Sequence, residues 1–141
     1  MVRIRDLLKR FLWFLIKPLH PYIRNLLLFS HVIHHCGRQR YHVGYLKAGK
    51  TISALEKFLR RERFWPCRVA WSDDGEVLNL RRFNGFQHQY HLRIFRDGEV
   101  RGHYEKTPEA HPIDHMNEIG MEARSKDFLR FLDGWVAARS R

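Results

Sequence analysis

The sequence is short of cysteine and has no long hydrophobic run, and each shortage excludes a class of protein. Its two cysteines, Cys36 and Cys67, are too few for the disulfide framework of a small secreted domain. No apolar run reaches the roughly 18 residues that a membrane-spanning helix needs. We therefore expect a cytoplasmic protein with reduced thiols, either soluble or peripheral at a membrane surface.

Acidic residues are scarce in the N-terminal third of the chain. Residues 1–50 contain ten Lys and Arg but a single acid, Asp6, and so carry +9 of the formal net charge of +11. Positive charge concentrated in this way favours an anionic partner, either nucleic acid or a lipid surface. A basic segment that serves only solubility is the alternative.

The same basic region has the pattern of an amphipathic helix. Over residues 3–17 the apolar side chains share one face, and the opposite face carries Arg3, Arg5, Lys9 and Arg10. Pro18 and Pro21 interrupt the pattern, and a second apolar helix is expected over residues 22–35. We predict a basic arm of two short helices over residues 1–37, which also offers a surface for a homo-oligomer.

Three turn signals organise the middle of the chain. Asp74-Gly75, Asn84-Gly85 and Asp97-Gly98 separate segments with strand-like alternation, which indicates an antiparallel meander. Helices are expected from Thr51 to about Phe64 and again after Ser125, each with an apolar stripe. The sequence therefore predicts an α+β fold over residues 38–141: a four-stranded antiparallel β-meander flanked by two helices on one face.

Loop lengths in the meander decide which side chains share a face. A two-residue loop at 74–75 and three-residue loops at 83–85 and 96–98 keep the apolar residues together, because a one-residue slip would invert every side chain. This register places His91 opposite His103 and Arg93 opposite Arg101. The polar face then carries these residues: Arg68, Asn79, Arg81, Gln87, Gln89, His91, Arg93, Arg101 and His103.

This polar face suits a phosphate backbone. Arginine forks, imidazoles and amide groups all bind phosphate oxygens, and facing arginines repel each other unless an anion lies between them. Because the face has few aromatic residues on which bases could stack, recognition would be electrostatic. We therefore predict a non-catalytic protein that binds DNA or RNA through the sheet face and the basic arm, without a cofactor. A solvated sheet face, with Glu105 near Gln89, is the simpler alternative.

Two other functions stay open. Residues 3–17 could anchor the chain at an anionic membrane surface, because a basic amphipathic helix can lie in the lipid interface. His91 and His103, about 5 Å apart at Cβ, could also act as an acid–base pair in metal-independent phosphodiester cleavage. No nucleophile accompanies the pair in the sequence.

One nucleotide-binding pattern is present in an unfavourable context. Residues 44–51 match GxxxxGK[ST], with Gly44, Gly49, Lys50 and Thr51 at the defining positions. The pattern needs a buried parallel strand before it, whereas the segment before Gly44 is polar and hairpins follow. We expect a polar turn in which Thr51 caps the next helix.

Two groups of histidines have spacings that occur in metal sites. His31, His35 and Cys36 form one group with ligand-like spacing, and His111 and His115 form another. No CxxC pair accompanies them, and the groups would have to converge from distant segments. The prediction is therefore that the chain holds no metal.

Overall fold

The computed structural model describes residues 4–31, 41–67 and 73–138. The helices in these ranges are α1 (Ile4–Ile16), α2 (His20–Phe29), α3 (Ile52–Arg61), α4 (Pro112–Met116) and α5 (Ser125–Phe131), with a 3-10 turn at Lys17–Leu19. The strands are β1 (His42–Leu46), β2 (Trp65–Pro66), β3 (Glu76–Asn84), β4 (His88–Phe95), β5 (Glu99–Lys106) and β6 (Val136–Ala137).

The described strands form one open antiparallel sheet in the order β2-β3-β4-β5-β1-β6. The α+β class is therefore confirmed, but the sheet has six strands where the sequence predicted four. The additional strands, β1, β2 and β6, have only two to five residues. β2 and β6 form the edges of the sheet, and β1 lies between β5 and β6. Alternation over so few residues gives almost no signal. The predicted first strand of the meander, at residues 68–72, lies outside the described residues.

The register of the hairpin between β4 and β5 is confirmed. Tyr90 pairs with Tyr104, His91 with His103 and Arg93 with Arg101, around a loop at residues 96–98. The hairpin between β3 and β4 differs from the prediction, because Asn84 pairs with His88 and the three-residue loop is 85–87 rather than 83–85. The loop lies two residues farther along the chain than predicted, an even number, so the strand residues keep their predicted faces. Gln87, which was predicted on the polar face, lies in the loop instead.

The main core lies between the apolar sheet face and two helices. Leu55 and Leu59 of α3 and Phe128 of α5 are fully buried against a cluster that includes Leu92 and other sheet residues. The helix α3 begins where predicted, because the Thr51 hydroxyl accepts a hydrogen bond from the Ala54 amide at 3.2 Å. Both α3 and α5 therefore pack on the same face of the sheet.

The break between α1 and α2 follows from proline. Pro18 lies in the 3-10 turn, and Pro21 is the second residue of α2, where its missing N–H costs no helical hydrogen bond. In the part of the chain that is described, no helix combines the length and the apolar composition needed to cross a bilayer.

Candidate functional site

The polar face of the sheet is buried rather than solvated. Gln89, His91, Arg93, His103 and Glu105 are each at most 1% exposed to solvent. The chain after β5 turns back over one end of this face, where Glu109 contacts Arg81 and His115 contacts Glu105. Burial at this level requires every charge on the face to have a compensating partner.

Three contacts hold the returning segment on the polar face. The Thr107 hydroxyl donates a hydrogen bond to the Phe86 carbonyl at 2.7 Å. Farther along, Arg81 forms a 2.8 Å ion pair with Glu109, and Lys106 forms one of 2.5 Å with Asp114 at the start of α4. The segment that follows β5 therefore supplies part of the charge that the sheet needs.

The sheet arginines are neutralised by carboxylates of the same chain. Arg93 donates from Nε to Glu76 at 2.6 Å and lies 2.7 Å from Asp73 through Nη1. Its cross-strand neighbour Arg101 binds both carboxylate oxygens of Glu99, at 2.9 and 2.8 Å. Carboxylates of the same chain, a separate set for each arginine, thus take the place of the external anion that the sequence predicted. Of the predicted sheet residues, Arg68 lies outside the described part of the chain.

Glu99 also contacts a histidine of the neighbouring strand. Its Oε1 lies 2.9 Å from His42 Nδ1 on β1. The hydrogen bonds from Arg101 lower the pKa of Glu99, partial burial opposes this, and the contact with His42 lowers it further. This pair lies at the solvent-accessible end of the polar face.

His91 and His103 meet as predicted, but inside the protein. His91 Nδ1 lies 3.1 Å from His103 Nε2. On its other side, His91 Nε2 lies 2.5 Å from the side-chain oxygen of Asn79. The Asn79 amide nitrogen donates to Glu76 at 2.7 Å, which fixes the orientation of the amide. His91 therefore donates its Nε2 proton to Asn79 and presents Nδ1 towards His103.

Glu105 completes this cluster. Its Oε1 accepts a hydrogen bond from Gln89 at 2.8 Å and lies 3.1 Å from His91 Nδ1. Its Oε2 lies 3.2 Å from His103 Nε2 and 3.4 Å from His115 Nδ1, and it is buried without an aligned hydrogen-bond donor. Although burial alone would raise the pKa of Glu105, attraction by His115 and His103 holds it well below its usual range.

The sequence pattern predicted that the two histidines of this cluster meet, but it did not predict the role of Glu105. The missed signal is simple: Glu105 follows His103 by two residues on β5, so both side chains project from the same sheet face. In the ranges that the structure describes, His91, His103 and Glu105 are the group whose potential metal-ligating atoms converge, all within 4.8 Å of one another.

Of the two histidine groups proposed from spacing, the structure describes both members of one, His111 and His115, which contact different partners. His111 Nε2 lies 2.5 Å from Gln87 Oε1, whereas His115 Nδ1 donates to the Lys106 carbonyl at 3.0 Å. His31 is exposed at the end of α2. His35 and Cys36 lie outside the described residues. For His31, His35 and Cys36 the absence of a metal therefore stays a prediction.

The residues of the GxxxxGK[ST] match have structural roles. Gly44 lies in β1, where an added Cβ would approach the Ala137 carbonyl oxygen to 2.4 Å. Gly49 adopts a positive φ of 76°, and the Lys50 ammonium lies 4.8 Å from the centre of the Trp135 ring. Thr51 is the α3 cap. The expected turn with its Thr51 cap is present, and the strand before it, β1, is antiparallel to both of its neighbours rather than parallel.

A second candidate site is the apolar surface of α1 and α2. Large apolar side chains on both helices are exposed, by 86% for Ile4, 59% for Phe11 and 84% for Phe29. The opposite edge of the helices faces the segment around α4, leaving an apolar pocket of about 400 Å³. The pocket is lined by Leu12, Ile16, Ile23, Leu27, Pro108, Glu109, Ala110, Pro112, Ile113 and Met116.

The chain was compared with models of protein families, with curated proteins and with solved structures, and none of them matches it. Function therefore has to be inferred from the residues of the chain itself. Two sets offer a basis: the exposed apolar face of the N-terminal helices, and the buried cluster of His91, His103 and Glu105.

Proposed function

We propose that the protein binds peripherally to an anionic membrane surface through α1 and α2. The observation that carries this proposal is a pair of exposed apolar stripes at helical spacing. On α1 the stripe has the i, i+4, i+7, i+11 positions, and on α2 the i, i+4, i+7 positions. Its residues are Ile4, Leu8, Phe11 and Leu15 on α1, and Tyr22, Leu26 and Phe29 on α2.

Lipid is the energetically favoured occupant of this apolar face. Burying a large apolar side chain stabilises by about 1.5–3 kcal/mol. The free energy gained when several of them insert at the acyl boundary therefore exceeds the cost of association. A basic residue near an anionic surface adds about 1 kcal/mol. The net charge of +9 in residues 1–50 complements anionic headgroups.

The sheet gives less support to nucleic acid than the sequence suggested. Arg81, Arg93 and Arg101 each form an ion pair with a carboxylate of the chain. Binding DNA or RNA through them would require these pairs to be broken. Arg5, Lys9 and Arg10 belong to α1, where the proposed lipid contact lies. Binding to DNA or RNA is therefore treated as a competing outcome of the same experiment.

A sedimentation assay tests the proposal. The full-length protein is mixed with phosphatidylcholine vesicles, with vesicles that also contain 30% phosphatidylglycerol, and with DNA and RNA oligonucleotides. We expect binding to the anionic vesicles and a loss of at least tenfold, about 1.4 kcal/mol, in the double variant Leu8→Ser/Leu15→Ser. The control Ile119→Ser/Leu129→Ser removes two exposed aliphatic side chains elsewhere and should bind normally.

Two results would overturn the proposal. One is equal vesicle binding by the test and control variants. The other is absence of vesicle binding, whether or not the oligonucleotides bind. If oligonucleotides bind instead and binding weakens steeply with added salt, phosphate contacts are responsible.

A further inference from the structure

We propose that His91, His103 and Glu105 form a binding site for a divalent transition-metal ion in the middle of the sheet. The site is independent of the lipid-binding face, since its residues come from β4 and β5. Its ligands would be His91 Nδ1, His103 Nε2 and the carboxylate of Glu105. Each of these three side chains is 1% exposed.

The distances between the donor atoms match those of a metal coordination shell. His91 Nδ1 lies 3.1 Å from both His103 Nε2 and Glu105 Oε1, and His103 Nε2 lies 3.2 Å from Glu105 Oε2. In a tetrahedral site with metal–ligand distances of about 2.1 Å, neighbouring ligand atoms are about 3.4 Å apart. Small side-chain adjustments would therefore place one ion at bonding distance from all three groups.

The surrounding hydrogen bonds orient the ligands. Asn79 accepts the Nε2 proton of His91, which leaves Nδ1 as the atom for coordination. Gln89 donates to Glu105 Oε1 and so holds the carboxylate in place. Partners of this kind select the histidine tautomer and increase the basicity of metal ligands. The second oxygen, Glu105 Oε2, is buried without an aligned donor, as expected of an atom that awaits a cation.

The donor set selects the class of ion. Two imidazole nitrogens and one carboxylate oxygen suit zinc and the other late first-row divalent ions, whereas calcium and magnesium prefer oxygen ligands alone. Three protein ligands leave at least one position for water or another small ligand in a tetrahedral site. Among the described residues, no further His, Cys, Asp or Glu belongs to the converging group.

A proton is the competing occupant of the same place. If His91 were an imidazolium, its Nδ1–H could donate to Glu105 Oε1 across the same 3.1 Å. A proton and a metal ion make opposite demands, because a metal-bound histidine must be neutral at the ligating nitrogen. Metal retention by the site should therefore decrease on acidification, as protons displace the ion.

The test uses the full-length protein, first freed of metal with a chelator. One equivalent of Zn²⁺ is added, the protein is exchanged into metal-free buffer at neutral pH, and the retained metal is measured. We expect about one retained ion per chain, and with Co²⁺ the visible absorption of a nitrogen- and oxygen-ligated site. His103→Gln and Glu105→Gln should each lower the affinity at least tenfold.

A matched control separates this site from surface histidines. His42→Gln removes another histidine that contacts a carboxylate, that of the His42–Glu99 pair, and should leave affinity unchanged. Where the cluster variants do not fold, zinc X-ray absorption of the wild-type protein replaces them, with two imidazoles and one carboxylate expected in the first shell. Failure of the wild-type protein to retain zinc, a different ligand set, or equal losses in His42→Gln and in the cluster variants would overturn the proposal.

Discussion

At the scale of single residues, Glu99 provides a direct test of the electrostatics on the polar face. Its pKa is lowered in the folded state, first by the hydrogen bonds from Arg101 and then by His42. The stability it contributes is therefore present above the unfolded pKa of about 4.3 and is lost as the pH falls through the lower folded pKa. We expect Arg101→Gln to raise the pKa of Glu99 more than His42→Gln does.

Carbon-13 NMR titration of the Glu99 carboxyl group would measure these values. In the wild-type protein the pKa of Glu99 should lie below the ordinary range for Glu. Of the two variants, Arg101→Gln should bring that pKa closer to the ordinary range. An equal change in the two variants would mean that His42 contributes as much as the guanidinium. A wild-type value in the ordinary range would contradict the ion pair itself.

Gly102 is a second residue whose role can be tested alone. A Cβ at this position would lie 2.8 Å from two atoms of the Phe128 ring, which is fully buried against the sheet. We expect Gly102→Ala to lower the free energy of unfolding by about 1–3 kcal/mol, because a packed core resists an added methyl group. Urea denaturation measures the change.

Phe128→Leu supplies the control for Gly102. If the steric contact is the cause, Gly102→Ala should cost much less in a Phe128→Leu background than in the wild-type protein. Additive effects of the two substitutions would show that Gly102 is needed for another reason.

At the scale of elements, the start of α3 tests whether Thr51 is a helix cap. Its hydroxyl accepts the Ala54 amide at 3.2 Å. We expect Thr51→Ala to lower the free energy of unfolding by about 1 kcal/mol and Thr51→Ser to retain most of it, as measured by chemical denaturation. Equal stability of the alanine variant would show that the cap contributes little, and the role of Thr51 would then need another explanation.

The strand pairings show which elements the sequence could predict. The hairpin of β4 and β5 was predicted in its correct register because apolar alternation on both strands allows one loop length. In the hairpin of β3 and β4, moving the loop by two residues leaves the same side chains on each face of the sheet. Apolar alternation is therefore equally consistent with both loop positions and could not locate the loop. The strands β2 and β6 have two residues each, and their pairing depends on contacts distant in sequence.

At the scale of the whole molecule, the sequence could not reveal that the polar face is buried. His91 and His103 were placed opposite each other correctly. Part of the cover over that face, however, comes from the path of the chain after β5. Two prolines interrupt this segment, at 108 and 112, and its one short helix has no strong periodicity. The contact of Glu105 with His115 is therefore a tertiary result that local patterns do not encode. Burial turns a face that could have contacted phosphate into a closed cluster of His91, His103 and Glu105.

The helices α1 and α2 lie outside the main core. Every residue of the core cluster among the described residues lies between Val43 and Val136, so α1 and α2 contribute none of it. We expect a chain of residues 41–141 to fold with an unfolding midpoint within about 5 °C of the full-length value, which is about 1 kcal/mol for a domain of this size. Calorimetry measures the midpoint. In the absence of lipid the exposed apolar stripes of α1 and α2 have no other partner, so the full-length chain should self-associate and the truncated chain should not. Size-exclusion chromatography measures this difference. A truncated chain that does not fold would instead make α1 and α2 part of the folding unit, with the pocket around Ile113 as the contact that secures them.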